Sequence, residues 1–230
     1  MRINRSAITA LVLLPLFFCG PSLRAQRPAA AEVSFAFERA GLPVPRFTLT
    51  VDQSGLGTYK GDQAEPVVRG VPAQPAIVAF ERRVVLSSKT TDRIFKLAGE
   101  LDHFNIACAS KAKNVADTGT KTLTYIAPGT MHACTYNYTE NKDLQTLTDI
   151  LEGIAETMDE GRRLDYLHRY DRLGLDAAMS FLTQEVSAGR ALELQTIAPT
   201  LSSIAEDADL MQRVRTQARA LLAMVPAEMR

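Results

Sequence analysis

The chain has 230 residues, of which 46% are hydrophobic and 23% are charged, with 26 basic and 26 acidic side chains. This composition is typical of a globular protein and excludes a largely disordered, collagen-like or coiled-coil chain. The net charge near zero argues against nucleic-acid binding, which needs clustered lysine and arginine. The length allows one large domain or two small ones.

The N-terminal residues have the pattern of a secretory signal peptide. Arg2 and Arg5 precede an apolar segment at residues 7–19, and Ala25 supplies a small residue at a cleavage point. We therefore expect the first 25 residues to be removed and the mature chain to be exported to the periplasm or the extracellular space. Cleavage removes three basic and no acidic residues, which leaves a net charge of −3. The alternative to cleavage after Ala25 is lipid attachment at Cys19.

No transmembrane segment is predicted. The apolar segment at residues 7–19 is shorter than the roughly 20 apolar residues that a membrane-spanning helix needs, and no later segment is long and apolar enough.

Removal of the signal peptide leaves two cysteines, Cys108 and Cys134. An even number of cysteines in an exported chain predicts a disulfide, here between two predicted strands. The loop that the bond closes is long enough for a contribution of about 3–4 kcal/mol to stability. The alternative is a metal site formed by the two cysteines and His132, but their spacing does not match a zinc signature.

Residues 26–140 alternate apolar and polar side chains and contain most of the prolines, which predicts an antiparallel sheet with one helix. Ser87 or Thr90 can cap that helix, which ends near Leu101. A proline- and glycine-rich stretch predicts a loop at residues 61–75. The predicted strands are residues 33–38, 47–51, 56–60, 77–86, 104–109, 121–127 and 131–138.

The apolar spacing changes near Asn141 from two residues to three and four, so residues 141–230 are predicted to form a bundle of four or five helices. The first helix begins at Asp143 and continues toward Leu173. No flexible spacer separates the two modules, and we expect the helical module to dock on the sheet module. The later apolar stripes lie in residues 179–186, 194–204 and 210–225.

Breaks within the helical module are predicted from glycine, aspartate and proline. Gly174 suits a left-handed helix end and Asp176 suits the start of the next helix, while Pro199 divides or kinks a later one. Residues 161–165 and 189–193 are similar in sequence. Two short copies are weak support for a repeat array, which needs about three or more units, so a simple bundle is favoured.

The densest polar cluster contains Asp165, His168, Arg169 and Arg172, which share one side of a helix at spacings of three and four. A histidine beside a carboxylate could act in acid–base catalysis. The alternative interpretation is a solvent-exposed helix face with weak ion pairs, and such patterns more often indicate that. These residues and His132 are the candidate catalytic residues.

The sequence contains no P-loop, no glycine-rich dinucleotide fingerprint, no His-Glu-x-x-His motif and no Gly-x-Ser-x-Gly motif. Its histidines, His103, His132 and His168, are scattered and include no pair that would place two metal ligands on one helical face. We therefore predict neither a cofactor nor a metal ion.

The order of elements in residues 33–101 resembles a known family. A first strand is followed by a glycine- and proline-containing loop, then by a second strand, a glycine-rich turn and later a helix. This order is similar to that of a family of uncharacterised domains in secreted bacterial proteins, which implies a small exported α+β module without a known activity. The residues of the second strand and turn are Pro45-x-Phe47-Thr48-Leu49-Thr50-Val51 and Gly55-x-Gly57-x-Tyr59-x-Gly61.

Taken with the missing catalytic motifs, these features predict a non-enzymatic exported protein that binds an unknown protein or envelope component. The alternative is a hydrolase-like enzyme with its site at the junction of the two modules, where ligand pockets often form. A deep cleft holding His132 or His168 beside a buried carboxylate would favour the enzyme. A flat apolar patch would favour the binding protein. The sequence assigns no ligand and no oligomeric state.

Overall fold

The computed structural model describes residues 30–64 and 77–226, so the predicted signal peptide and most of the predicted 61–75 loop lie outside the described residues. Six strands form one antiparallel sheet in the order β4-β3-β2-β1-β5-β6. The strands are β1 (Glu32–Glu38), β2 (Arg46–Asp52), β3 (Leu56–Ala64), β4 (Ile77–Val85), β5 (Thr120–Ala127) and β6 (Thr130–Tyr136).

The sheet has one buried face and one polar face, because apolar and polar side chains alternate along its strands. Phe35 of β1 and Leu49 of β2 are fully buried. Their sequence neighbours Ser34 and Thr50 face the other way and approach each other at 3.4 Å between hydroxyl oxygens. The helices therefore have a single apolar surface on which to pack.

Five α-helices complete the fold within residues 30–64 and 77–226. The helix α1 follows β4 and contacts β1 and α2, whereas α3 and α4 pack against α2, and α5 packs against α3 and α4. Two short 3-10 helices lie at Asp102–Phe104 and Leu194–Ile197. The α-helices are α1 (Ser88–Glu100), α2 (Lys142–Tyr170), α3 (Leu175–Ser187), α4 (Ala198–Glu206) and α5 (Gln212–Met224).

The α+β fold class is confirmed, and one apolar cluster runs from the sheet into the helices. Ser87 caps α1 as predicted, because its hydroxyl accepts a hydrogen bond from the Thr90 amide. The division of the chain into a sheet module at residues 26–140 and a helical module at residues 141–230 that docks on it stays a prediction.

The predicted strand at residues 104–109 is wrong. Phe104 ends the 3-10 helix Asp102–Phe104, whose three residues all have positive φ angles of 48–68°, and no strand follows before β5. The apolar character that suggested a strand belongs to two buried anchors, Phe104 and Cys108. Those side chains hold an irregular segment against the core without pairing its backbone to the sheet.

The Cys108–Cys134 disulfide is present, with the two Cα atoms 5.8 Å apart. Cys134 lies on β6, as predicted, but Cys108 lies in the irregular segment before β5. The bond therefore ties a loop to the end strand of the sheet, not one strand to another.

The helix breaks differ in detail from those predicted. The helix α2 ends at Tyr170 and Asp171 is its C-cap residue, so Arg172 lies in the turn that follows the helix. Gly174 has a φ angle of −69°, which is not left-handed, and Asp176 lies in the first turn of α3 and does not precede it. Pro199 stands in the first turn of α4, after a 3-10 helix, as the predicted division requires.

Two glycines let an irregular segment, residues 188–197, lie directly on α2. A Cβ atom at Gly153 would lie 2.9 Å from the Leu192 side chain, and one at Gly161 would overlap the Ile197 side chain. The first glycines of the two similar segments differ in conformation: Gly161 lies inside α2, whereas Gly189 follows α3 and has a φ angle of +71°. The two similar segments are not structurally equivalent units of a repeat.

Candidate ligand cavity

Five strands place one residue each in a single row across the buried face of the sheet. Lys121 of β5 pairs with Phe37 of β1, and Phe37 pairs with Phe47 of β2. Phe47 pairs with Gly61 of β3, which pairs with Phe80 of β4. Because paired residues of antiparallel strands point to the same face, this row, hereafter the aromatic row, forms one continuous floor.

The rings of the aromatic row contact one another. The ring centroids of Phe37 and Phe47 are 5.2 Å apart in a stacked arrangement. Tyr59, two residues from Gly61 along β3 and on the same face, contacts both Phe47 and Phe80, with centroid distances of 5.3 and 5.4 Å. Gly61 is required here, since a Cβ atom at this position would lie 2.6 Å from the Phe80 ring.

The polar side of α2 lies opposite this floor. Glu152, Glu156, Asp159 and Glu160 follow one another at spacings that place them on one side of a helix. The Lys121 ammonium lies 3.6 Å from the Glu152 carboxylate, so this end of the polar side meets β5.

The other end of the polar side meets β4. The Arg162 guanidinium lies 3.6 Å from the centroid of the Phe80 ring. It also donates hydrogen bonds to the Gln63 side chain, at 2.6 and 3.2 Å. The helix therefore runs along the aromatic row from β5 to β4.

A cavity of about 760 Å³ lies between α2 and the part of the aromatic row formed by Lys121, Phe37 and Phe47. Its walls include the β1–β2 loop at Leu42–Val44 and two residues near its mouth, Tyr166 of α2 and Phe181 of α3. Both of these aromatic side chains are exposed. The cavity therefore joins an apolar floor, a charged wall and an aromatic entrance.

Burial controls the electrostatics of the charged wall. It raises the pKa of Asp159 to about 6, although the nearby Arg162 acts in the opposite direction. It also raises the pKa values of Glu152 and Glu160 and lowers that of Arg162. Tyr59 has its pKa raised by burial in the first place and by the Asp159 carboxylate in the second.

The predicted polar cluster on α2 is divided in the structure. His168 pairs with Asp207 at the end of α4, with 2.8 Å between Nε2 and Oδ2, and Arg172 lies 3.5 Å from the same carboxylate. This hydrogen bond from His168 is the main reason that the pKa of Asp207 is lowered. Asp165 instead accepts a hydrogen bond of 2.9 Å from the Thr200 hydroxyl. Arg169 is exposed.

The other candidate, His132, lies on β6 opposite Tyr125. Its Nδ1 atom is buried and has no hydrogen-bond partner among the residues that the structure describes. Neither His132 nor His168 lines the cavity described above. The structure thus brings His168 and Arg172 together around Asp207, outside the lining of the cavity.

Sequence reasoning missed the carboxylates of the cavity wall. The signal was present in the spacing of Glu152, Glu156 and Asp159 along a helix that was interpreted only by its apolar stripe. Within residues 30–64 and 77–226, no group of three or more His, Cys, Asp or Glu side chains is arranged to hold a metal ion. In the same ranges no helix has the length and apolar character needed to cross a bilayer.

A scan against protein-family models finds no match for this chain, and a search of curated proteins finds no similar sequence. The resemblance of residues 33–101 to domains of secreted bacterial proteins therefore stays a prediction.

Proposed function

We propose that the protein is an exported, non-enzymatic binding protein whose small-molecule ligand occupies the cavity between the aromatic row and α2. The observation that carries the proposal is the cavity itself. Its volume of about 760 Å³ lies within the range of known ligand pockets, about 300–1,000 Å³. An apolar floor with a few polar groups is the usual composition of such pockets.

The proposed location, the periplasm or the extracellular space, rests on the signal-peptide pattern and on the disulfide. Disulfides persist mainly in oxidising compartments, and the Cys108–Cys134 bond joins two segments that are both packed into the core. Export of the mature chain after cleavage near Ala25 is consistent with both observations.

The second candidate, a hydrolase-like enzyme, is favoured by one observation. Asp159 lines the cavity with a pKa raised by burial to about 6, which suits a carboxyl group that exchanges protons near neutral pH. The described lining of the cavity contains no serine, cysteine or histidine, and the predicted acid–base residue His168 lies elsewhere. We therefore rank binding above hydrolysis.

The test is native mass spectrometry of the mature chain after incubation with a small-molecule extract of the cell envelope. We expect one retained component in the wild-type protein and its loss in Val44→Trp, because Val44 is a half-buried residue of the cavity wall. The matched control is Leu173→Trp, at a position that is 86% exposed and does not line the cavity.

Three outcomes would decide between the candidates. A component that is retained equally by both tryptophan variants would place binding outside the cavity and overturn the proposal. Time-dependent conversion of an extract component by the wild type but not by Asp159→Asn would favour the hydrolase. Retention without conversion is the result expected for a binding protein.

A further inference from the structure

Each end of the aromatic row already holds a cation of the chain. The Lys121 ammonium lies 5.5 Å from the centroid of the Phe37 ring, and the Arg162 guanidinium lies 3.6 Å from that of Phe80. Both distances are within the about 6 Å over which a ring face attracts a cation. Lys121 is buried, with 8% of its side chain exposed, so this attraction operates away from bulk water.

Each of these cations also has a carboxylate partner on α2. Lys121 pairs with Glu152 at 3.6 Å, and Arg162 lies 3.8 Å from Asp159. At each end of the row, a cation of the chain therefore contacts both a ring of the row and a carboxylate of α2, with Lys121 reaching them from the sheet and Arg162 from α2 itself.

Between the two ends, the arrangement lacks its cation. Glu156 lines the cavity and is half-buried, and among the described residues its carboxylate has no side-chain hydrogen bond and no ion pair within 4 Å. Its neighbour Glu160 is paired with Arg163 at 3.3 Å. Burial, followed by the Glu160 and Glu185 charges, raises the pKa of Glu156, while the Arg190 and Arg163 charges act in the opposite direction from beyond ion-pair distance.

Helix and sheet dimensions place Glu156 above the middle of the row. The ten residue-to-residue rises from Glu152 to Arg162 span about 15 Å of helix, and the four strand spacings from β5 to β4 span about 19 Å. Glu156 lies about 6 Å along α2 from Glu152. That position corresponds to β1 and β2, where Phe37 and Phe47 form the stacked pair.

We propose that the cavity binds an organic cation, an ammonium group on an apolar body, with the ammonium seated between the Glu156 carboxylate and the stacked Phe37 and Phe47 rings. This inference rests on the proposed function and specifies its ligand class. Tyr166 and Phe181 at the mouth provide apolar surface for the body of the ligand.

The positive residues of the wall do not oppose this assignment. Lys121, Arg162 and Arg163 each have a carboxylate within 4 Å. Arg39 is exposed at the end of β1, where water and salt screen its charge. Among these charged groups of the wall, the half-buried Glu156 carboxylate therefore stays available to pair with a cationic ligand.

The experiment titrates the mature protein with three probes of one size class and follows amide chemical shifts by NMR. The probes are benzyltrimethylammonium, its neutral isostere neopentylbenzene, and the anion benzenesulfonate. We expect benzyltrimethylammonium to shift amides of β1, β2 and the middle of α2 in a saturable manner and to bind most tightly of the three.

Two matched variants assign the effect to the proposed group. Glu156→Gln keeps the shape of the side chain and removes its charge, and we expect about a ten-fold loss of benzyltrimethylammonium affinity. Glu206→Gln removes a charge at the exposed end of α4 and should leave the affinity unchanged. The free Glu156→Gln protein should melt at the same temperature as the wild type or higher, because burial of the charge and repulsion from Glu160 and Glu185 outweigh the attraction of Arg190 and Arg163.

Tighter or equal binding of neopentylbenzene or benzenesulfonate in the cavity would overturn the cation inference and leave the proposed function standing. Absence of benzyltrimethylammonium binding would overturn it as well. A cation affinity that Glu156→Gln does not change would also contradict it. The envelope-extract experiment is independent of all three results, so failure of the proposed function is recognised separately.

Discussion

Two irregular segments, residues 105–119 and 188–197, are fixed to the core in different ways. The first is joined to the sheet by the Cys108–Cys134 bond and by hydrogen bonds such as that from the Ser110 amide to the Tyr138 carbonyl, at 2.9 Å. Its partners lie in or next to β6. The covalent link therefore acts within the sheet half of the molecule.

The second segment has no covalent link and joins both halves. The Leu192 amide donates to the Gly153 carbonyl of α2 at 3.0 Å, and the Thr157 hydroxyl donates to the Leu192 carbonyl at 2.6 Å. Glu193 then reaches the start of α1, where it accepts hydrogen bonds from the Ser87 amide and the Thr90 hydroxyl, at 2.6 and 2.5 Å. The Cys108–Cys134 bond, hereafter the staple, thus stabilises the sheet half alone. The hydrogen bonds of the Glu193 carboxylate with Ser87 and Thr90, hereafter the clamp, connect the segment at 188–197 with the start of α1.

The largest expected effect comes from removal of the staple. In the double variant Cys108→Ala/Cys134→Ala, we expect the free energy of unfolding to fall by about 3–4 kcal/mol, because the unfolded chain regains the entropy of a long loop. Urea unfolding measures the loss. Hydrogen exchange should show that amides of β5 and β6 lose protection before those of α3 to α5.

A uniform loss of protection across the sheet and all five helices would contradict the local action of the staple. The corresponding control is reduction of the wild-type protein with a thiol reagent, which should reproduce the exchange pattern of the double alanine variant.

The next largest loss of stability is expected from substitution of Glu193, the carboxylate of the clamp. Glu193→Ala leaves the Ser87 amide and the hydroxyls at the start of α1 without their carboxylate acceptor, and we expect a loss of about 1.5–3 kcal/mol, the value of hydrogen bonds to charged groups. Glu193→Gln keeps one oxygen acceptor and should lose less. Thermal unfolding gives the values, and hydrogen exchange should show faster opening at the first turn of α1.

Equal and negligible effects of the alanine and glutamine variants would show that the segment at 188–197 is held by its contacts with α2 alone. In that case the two halves would be coupled through apolar packing, and the difference between staple and clamp would be one of position only.

Local patterns predicted much of the fold. The strands β1 to β3 were predicted because Phe35, Leu49 and their neighbours alternate with small or polar residues over several pairs. The stripe Leu144, Leu147 and Leu151 predicted α2 because buried side chains recur every three or four residues. The segment at 104–109 failed because two buried anchors in an irregular chain give the same apolar run as a short strand.

The cavity and the clamp depend on contacts between residues far apart in the chain. The aromatic row arises from the register of five strands, and no local pattern specifies that Phe37 pairs with both Phe47 and Lys121. Glu193 lies 106 residues from Ser87. In the sequence it was noted only as part of the segment 189–193, which is similar to residues 161–165. Sequence periodicity indicates which face of an element is buried, but the partner of that face is set by topology.

The smallest expected effect tests how closely the second segment lies on α2. Gly161→Ala adds a Cβ atom that would overlap the Ile197 side chain, and we expect a loss of about 1–3 kcal/mol from overpacking. The matched control is Gly99→Ala in α1, where no atom lies within 4 Å of an added Cβ. That change should stabilise the protein by about 0.5–1 kcal/mol, because alanine loses less conformational entropy than glycine in a helix. Urea unfolding of the two variants gives opposite signs if the segment at 188–197 is seated on α2 as described. A gain of stability in both would mean that Ile197 moves away at little cost, and that the clamp, not the packing, determines where the segment lies.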